Sequence, residues 1–242
     1  MIVLKLGGSV VTRKDDPETV DTENLDRLAE AIAGHDGRLV VVHGGGSFGH
    51  HHASEHGVTT TEGTHDAAAV RAIHGAMKRL NDAVVEALAE RDVPAVPVHP
   101  FSNAVRPATG ELVVSSGPIT TMLAEGFVPV LHGDVVAHAG KGATILSGDE
   151  LVVDLATQLG ADRVGLCSAV PGVLDADGEV IDRIERFEDA AEALGGSDAT
   201  DVTGGMAGKV RELLALEVPA YVFDADGTDA FLAGGSPGTR VG

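Results

Sequence analysis

Short apolar runs alternate along this chain with stretches in which apolar side chains recur at helical spacing. Leu39–Val42 consists of leucine and β-branched residues and is followed directly by turn residues, which predicts a buried strand. Ile2–Leu6 predicts a first strand of the same kind. Further strands are predicted at residues 93–98, 127–131, 164–167 and 220–223 and at the last residues of the chain.

The helical period is strongest between about Asp66 and Glu90, where apolar residues return every three or four positions. A second helix is predicted up to Ala33, with Thr22 as its N-cap. Shorter helices are expected near Ser47, Pro118, Asp149, Phe187–Leu194 and the Gly204-Gly205 turn, and hairpins at 103–116 and 172–184. Strands that alternate with helices predict an α/β fold, an open and mainly parallel sheet sandwiched between helices.

The chain of 242 residues is long enough for one large domain, and no linker rich in proline and serine interrupts it. We therefore expect a single domain covering residues 1–242. Within it, two lobes are expected at about 1–140 and about 141–242, with a border near Gly140–Ser147.

Composition argues for a globular protein and against two classes of partner. The 43% hydrophobic content is typical of globular chains, and 37 acidic against 17 basic residues give a formal charge of -20. Such a field disfavours nucleic acid and anionic membranes as partners. Many acidic residues with few lysines and aromatics are typical of proteins from salt-loving organisms.

Cys167 is the only cysteine, so the chain has no intramolecular disulfide, and a reducing cytoplasm is the expected location. The first residues enter a strand without the layout of a signal peptide. No apolar run approaches the ~20 residues of a membrane span.

Three consecutive glycines, Gly44 to Gly46, follow the predicted strand at Leu39–Val42 and precede a predicted helix carrying His50. Glycines let backbone N–H groups face a ligand with no Cβ in the way, and a helix start adds further unpaired N–H groups. The pattern predicts an anion site, although a plain tight turn gives the same local sequence. Other glycine clusters follow apolar segments at Gly7-Gly8, Gly133 and Gly204-Gly205.

Only five lysines occur, and three of them lie beside glycine-rich turns: Lys5, Lys14 and Lys209. Phosphoryl transfer needs cations on the charge of the moving group and amides that hold donor and acceptor in line. The set therefore favours a phosphotransferase over three unrelated surface lysines.

Four motifs together resemble the amino acid kinase superfamily: Lys5-Leu6-Gly7-Gly8-Ser9, Gly44-Gly45-Gly46, Ser147-Gly148-Asp149 and Thr203-Gly204-Gly205-Met206-x-x-Lys209. Within the superfamily, the stretch from His43 to His50 is similar to that of isopentenyl phosphate kinases. His132-Gly133-Asp134 and Asp201-Val202-Thr203 extend this similarity, which runs in order along the chain.

The resemblance implies transfer of a phosphoryl group from ATP, with Mg²⁺ carried by the nucleotide, to isopentenyl phosphate. It implies that Lys5, Lys14 and Lys209 meet the ATP phosphates and that Asp149 orders the lysines. It also implies a homodimer, with acceptor binding in the N-terminal lobe and nucleotide binding in the C-terminal lobe. Further ATP contacts are implied for Gly7, Gly8, Ser9, Gly46, Gly172, Gly204 and Gly205, and acceptor contacts for Gly8, Gly45, Gly46, His50 and Gly133.

The role implied for His50 is physically sound. The second pKa of an acceptor phosphate is about 6, so at neutral pH it is largely a dianion that needs no general base. It does need a donor that orients it, and an imidazole supplies one. The neighbouring histidines, His51 and His52, are expected to be solvated, and no metal site is predicted.

Two departures from the family pattern leave questions open. The nucleotide loop reads Ala169 to Val173 without the usual carboxylates, which leaves the nucleotide preference open. The long helix is rich in alanine, which either widens a pocket for an apolar tail or serves helix packing. A fosfomycin-type kinase of the same fold and a non-catalytic nucleotide binder are the alternatives.

Overall fold

The computed structural model describes residues 1–191 and 205–242. Its helices are α1 (Gly8–Val11), α2 (Thr22–Ala33), α3 (Gly46–Glu55), α4 (Ala67–Ala89), α5 (Gly117–Ala124), α6 (Gly148–Leu159), α7 (Gly205–Leu213) and α8 (Thr228–Leu232). Short 3-10 helices lie at Pro100–Ser102, Phe187–Asp189 and Ala225–Gly227.

Twelve strands are found in the described part of the chain: β1 (Ile2–Leu6), β2 (Leu39–His43), β3 (Ala95–Pro97), β4 (Ala104–Arg106), β5 (Val113–Val114), β6 (Val128–His132), β7 (Asp134–His138), β8 (Gly142–Leu146), β9 (Arg163–Cys167), β10 (Arg183–Ile184), β11 (Ala220–Phe223) and β12 (Thr239–Val241). They form an eight-stranded sheet in the order β10-β12-β11-β9-β1-β2-β6-β3 and a four-stranded sheet in the order β5-β4-β7-β8.

The centre of the large sheet is parallel and in register. Leu6 at the end of β1 is paired with His43 in β2 on one side and with Cys167 in β9 on the other. His43 is paired in turn with His132 at the end of β6. The carboxyl ends of four strands therefore lie side by side, and the glycine loops that follow them meet at one edge.

Apolar side chains cover both faces of the large sheet, because successive residues of a strand point to opposite faces. Val3 and Val40 pack in a cluster with residues of α6 and α7, including Leu151 and Val210. Their neighbours on the strands pack in a second cluster with α2, α4 and α8; its members include Leu4, Val41, Leu28, Leu80 and Phe231. The sheet is thus sandwiched between helices, as predicted.

The smaller sheet contains one predicted hairpin, β4–β5, and one that the sequence analysis missed, β7–β8. Only Gly133 separates β6 from β7. With so short a break, the sequence indicates a single strand that ends in a loop at this glycine, and the second strand is not recognised. Val135 and Val136 are buried, and Ala143 in β8 forms a bridge with Thr64 in the loop before α4.

Several predicted boundaries differ from the observed ones. The N-cap of α2 is Asp21 rather than Thr22, because the Asp21 carboxylate accepts a hydrogen bond from the backbone N–H of Asn24. The predicted helix at Phe187–Leu194 begins with a 3-10 turn, and its end lies outside the described residues, as does Gly204. Among the described helices, none combines the length and the apolar character needed to cross a bilayer.

Candidate active site

Lys5, Asp149 and Lys209 come from three different elements and lie together. Lys5 is in β1 and is only 5% exposed, and its Nζ lies 2.5 Å from Oδ1 of Asp149 at the start of α6. Lys209 in α7 approaches the other carboxylate oxygen, with its Nζ 3.9 Å from Oδ2. One buried carboxylate thus lies between two of the three lysines that the sequence singled out.

The charges of this cluster favour an anionic ligand. Burial would raise the pKa of Asp149, but the nearby Lys5 and Lys209 outweigh burial and hold this pKa below its usual value. Burial lowers the pKa of Lys5, and the Asp149 carboxylate opposes that shift. Two ammonium groups therefore face one carboxylate, an arrangement that gains from a bound phosphate.

Glu212 is a fourth ionisable group of this cluster, and none of the sequence motifs includes it. Burial raises its pKa to about 7, and the carboxylates of Asp149 and Glu150 add to the rise. One of its oxygens, Oε2, is buried and has no hydrogen-bond partner in the described part of the chain. Glu212 follows Lys209 by three residues on one helix, and this spacing was the available signal.

The first two glycine loops contact each other backbone to backbone. A Cβ on Gly8 would lie 2.2 Å from the backbone nitrogen of Gly46, and one on Gly44 would lie 2.6 Å from that of Gly8. Gly46 has a φ of +47°, and a Cβ there would lie 2.1 Å from Oγ1 of Thr12. The N-termini of α1 and α3 approach so closely that only glycine fits at these positions. The anion-site prediction requires helix starts that converge in this way.

Some of the backbone N–H groups at this junction have no acceptor among residues 1–191 and 205–242. Those of Gly8, Gly45 and Gly46 lie at or just before the first residues of α1 and α3, where no intrahelical acceptor exists. Other groups nearby are paired: the Thr12 hydroxyl donates to the Gly8 carbonyl oxygen and accepts from the Ser47 N–H. The unpaired amides are available to oxygen atoms of a ligand.

Gly133 and Gly148 bring two more loops to the same edge. A Cβ on Gly148 would lie 3.3 Å from Cε of Lys5, and one on Gly133 would lie 3.4 Å from the nitrogen of Gly148. The N–H of Gly133 donates to the carbonyl oxygen of His43 at 3.0 Å. This N–H is therefore already bonded within the protein. The predicted contact of Gly133 with the acceptor substrate would have to use another of its atoms.

His50 is the fifth residue of α3 and is partly buried. It follows Gly46 by one helical turn, which places it on the helix whose N-terminus contributes the converging amides. His50 therefore belongs to the same element as the third glycine of the predicted anion site.

The other predicted ligand residues are more widely distributed. Lys14 is exposed in the loop after α1, and no ion pair links it to another described residue. Ser9 lines a cavity of about 230 Å³, together with residues of α2 and Asp224.

The remaining predicted glycines that the structure describes lie in different parts of the chain. Gly172 packs closely on Thr239, whose hydroxyl accepts the N–H of Val173 at 2.8 Å. Gly205 is the first residue of α7, and Gly7 donates its N–H to the Cys167 carbonyl oxygen at 2.8 Å.

The expectation that His51 and His52 are both solvated is wrong for His52. Its Nε2 lies 2.5 Å from Oε1 of Glu18, a residue far away in the sequence, whereas His51 is exposed. Glu55 lies on the next turn of the helix. Its carboxylate lies near the rings of His51 and His52, and these three side chains form a group that could share a metal ion. The contact to Glu18 arises from tertiary packing and has no local signal.

Two further residues that the sequence analysis did not assign are His43 and His132, the last residues of β2 and β6. Both side chains are fully buried, and their rings stack with centroids 5.5 Å apart. The dipeptide His-Gly occurs at the end of both strands, and this repetition was the signal available. By contrast, Cys167 is a buried free cysteine, and burial raises the pKa of its thiol to about 12.

A sequence profile of the amino acid kinase family matches residues 1–223. The chain belongs to the amino acid kinase family. The isopentenyl phosphate kinase of Haloferax volcanii is 68% identical over 243 residues, which cover 100% of this chain and 98% of that protein. The isopentenyl phosphate kinase of Methanothermobacter thermautotrophicus is 38% identical over 232 residues, covering 89% and 86%.

A solved X-ray structure of an isopentenyl phosphate kinase superposes on this chain with a TM-score of 0.81. The two are 32% identical, and the match covers 100% of both chains. The family and the fold class predicted from the sequence are thereby confirmed, and the acidic composition agrees with the Haloferax relative.

Proposed function

We propose that this chain transfers the γ-phosphoryl group of ATP to isopentenyl phosphate and so produces isopentenyl diphosphate and ADP. The observation that carries the proposal is the cluster of Lys5, Asp149 and Lys209 beside glycine loops with unpaired amides. The relatives named above, which are isopentenyl phosphate kinases, supply the identity of the acceptor.

The glycine junction fits a chain of phosphates. The close backbone contacts of Gly8, Gly44 and Gly46 bring the two loops together, so their unpaired amides lie side by side and can donate to phosphate oxygens. Lys5 and Lys209 offset the negative charge that spreads over the transferring group. Asp149 holds both ammonium groups and acts as a positioning residue.

His50 orients the acceptor in this proposal. The acceptor phosphate is already a nucleophile at neutral pH, because its second pKa is about 6. What the reaction requires is a donor that offsets the repulsion between two anions and aligns them. The imidazole of His50, with the amides of Gly45 and Gly46, supplies these donors, while Lys14 reaches the ATP phosphates from its loop.

Mg²⁺ is carried by the nucleotide and supplies further charge neutralisation to the phosphates. The proposal also includes acceptor binding in the N-terminal lobe at about 1–140 and nucleotide binding at about 141–242. A homodimer and a cytoplasmic location complete it, and the buried thiol of Cys167 suits a reducing compartment.

A coupled assay of ADP release at high salt tests the proposal. The acceptors are isopentenyl phosphate, fosfomycin, uridylate and acetylglutamate, each added separately, with a reaction lacking acceptor as the background. Strong turnover on isopentenyl phosphate alone is expected. Turnover on another acceptor, or none on any of the four, contradicts the proposal.

A further inference from the structure

His43 and His132 each point one ring nitrogen at the glycine that follows. Nδ1 of His43 lies 3.0 Å from the carbonyl oxygen of Gly44, and Nδ1 of His132 lies 2.9 Å from that of Gly133. A carbonyl oxygen only accepts hydrogen bonds, so Nδ1 of each ring has to carry a proton. Burial lowers the pKa of His43 to about 4 and that of His132 well below its usual value, so both rings are neutral at pH 7.

A neutral ring that donates from Nδ1 accepts at Nε2, and both rings have a partner there. Nε2 of His132 lies 3.0 Å from Nδ1 of His99, which donates to it. Nε2 of His43 lies 3.1 Å from one end of the buried Asn81 amide. That end has to be the amide nitrogen, which otherwise has no partner among the described residues. The network therefore fixes one tautomer in each ring.

The bond from His43 determines the direction of a backbone amide. The carbonyl oxygen of Gly44 and the N–H of Gly45 belong to one planar trans peptide and point in opposite directions. Because the buried His43 ring holds the oxygen on the inner side, the Gly45 N–H points outward, where it has no acceptor within the described chain. A peptide between two glycines would otherwise rotate easily.

We propose that His43 is a positioning residue for phosphoryl transfer, which acts by fixing the Gly44–Gly45 peptide so that the Gly45 N–H points at the acceptor phosphate. His132 supports this arrangement by stacking on the His43 ring and through the bond from the Gly133 N–H to the His43 carbonyl oxygen. The inference rests on the proposed function for the identity of the acceptor.

Two substitutions separate positioning from packing. In His43→Asn the side-chain Nδ2 takes the place of Nδ1 and can still donate to Gly44, whereas His43→Leu fills the buried space without a donor. If His43 only fills the core, the leucine variant should be at least as active as the asparagine variant. We expect the opposite order.

The readouts are kcat and KM for each substrate, measured on fractions that circular dichroism shows to be folded. For His43→Leu we expect a loss of ~10²-fold in kcat/KM for isopentenyl phosphate, as for other misplaced catalytic groups, while the KM for ATP changes little. For His43→Asn we expect a loss of less than about tenfold. Equal losses in the two variants, or a smaller loss in His43→Leu, overturn the inference.

A second measurement does not depend on turnover. In ¹⁵N-labelled wild-type protein, the nitrogen shifts of His43 should show a protonated Nδ1 and an unprotonated Nε2. Inorganic phosphate should move the Gly45 amide resonance in the wild type and in His43→Asn but not in His43→Leu. A proton on Nε2 of His43, or an equal response of the Gly45 resonance in all three proteins, overturns the positioning role. If only the proposed function is wrong, these signals are as described and turnover on isopentenyl phosphate is absent.

Discussion

Lys5 and Asp149 are separated by 144 positions in the sequence, yet Nζ of one lies 2.5 Å from Oδ1 of the other. Both side chains are less than a tenth exposed, and the pair joins the end of β1 to the start of α6. Lys209 approaches the same carboxylate from α7. In the proposed mechanism this carboxylate fixes both ammonium groups before any phosphate arrives, so less reorganisation remains for the reaction itself.

Lys5→Ala and Lys209→Ala should each lower kcat strongly, because each removes a cation from the charge that develops on the transferring group. Loss of one such donor typically costs ~10²–10³-fold in kcat. The ADP-release assay with saturating ATP measures the effect. Lys141→Ala is the matched control, because this exposed lysine lies outside the cluster and, among the described residues, donates to the Thr61 carbonyl oxygen. A lysine whose alanine variant keeps most of the activity has no role in the transfer.

His50→Ala should raise the KM for isopentenyl phosphate and lower turnover, while ATP binding stays nearly unchanged. The imidazole contacts the acceptor and not the nucleotide in the proposed arrangement, so its loss affects only one substrate. Steady-state kinetics in both substrates, with calorimetric titration of ATP, measure the separation. His51→Ala tests helix α3 itself, since His51 is exposed on the same turn and should retain full activity. A parallel loss of ATP affinity, or no change in rate, would exclude the acceptor role.

The elements around the glycine junction could be predicted because their signals are local. β1 and β2 are apolar runs, and the glycines after them mark the turns. The scarcity of lysine drew attention to Lys5 and Lys209, and the structure brings both to Asp149. The N-cap of α2 shows the limit of local signals: Asp21 and Thr22 are adjacent and both favour this position, and the modest preference for Asp over Thr was not enough to place the boundary.

The contacts that the sequence did not predict depend on how distant strands and loops are placed in the folded chain. The stacking of His43 on His132 exists only because β2 and β6 are neighbours in register, although 88 residues lie between these two histidines. Likewise, the hydrogen-bond contact between His52 and Glu18 requires a loop to fold back on α3. Such contacts have no period or spacing in the sequence, so single-sequence patterns do not report them.

Gly8→Ala should separate the first two glycine loops. The added Cβ would lie 2.2 Å from the backbone nitrogen of Gly46, so the backbone must shift, and overpacking of this kind costs about 1–3 kcal/mol of unfolding free energy. The displaced amides should also reduce kcat/KM for both substrates. Gly117→Ala is the control, because a Cβ there meets open space at the start of α5. Denaturant unfolding and kinetics of the two variants check the prediction, and equal behaviour contradicts it.

Glu212 should make stability fall as pH rises through the neutral range. Its pKa is raised from 4.5 to about 7 in the folded chain, first by burial and then by Asp149 and Glu150. Between these two values the folded state holds a proton that the unfolded state releases, so the free energy of unfolding decreases as pH increases. Glu212→Gln removes this ionisation.

The Glu212→Gln variant should therefore be more stable than the wild type at pH 8, and the difference should shrink toward pH 5. Denaturant midpoints across this range provide the measurement, and exposed Glu217→Gln on the segment after α7 provides the control. A difference that does not change with pH would show that Glu212 is ionised alike in the folded and unfolded chain.

The formal charge of -20 should make stability depend steeply on salt. Carboxylates spread over the surface repel one another, and raising the salt from 0.1 M to 1 M shortens the screening length from about 10 Å to about 3 Å. Buried pairs such as Lys5 with Asp149 are screened far less, so repulsion is relieved more than these attractions are weakened. Thermal unfolding in increasing KCl should show a steady rise in Tm. Sucrose of equal osmolarity is the control, because it stabilises a fold only through its exclusion from the protein surface, and the rise in Tm in KCl should be much larger than the rise in sucrose. A Tm that is flat in KCl, or no higher than in sucrose, would mean that surface repulsion does not limit the stability of this fold.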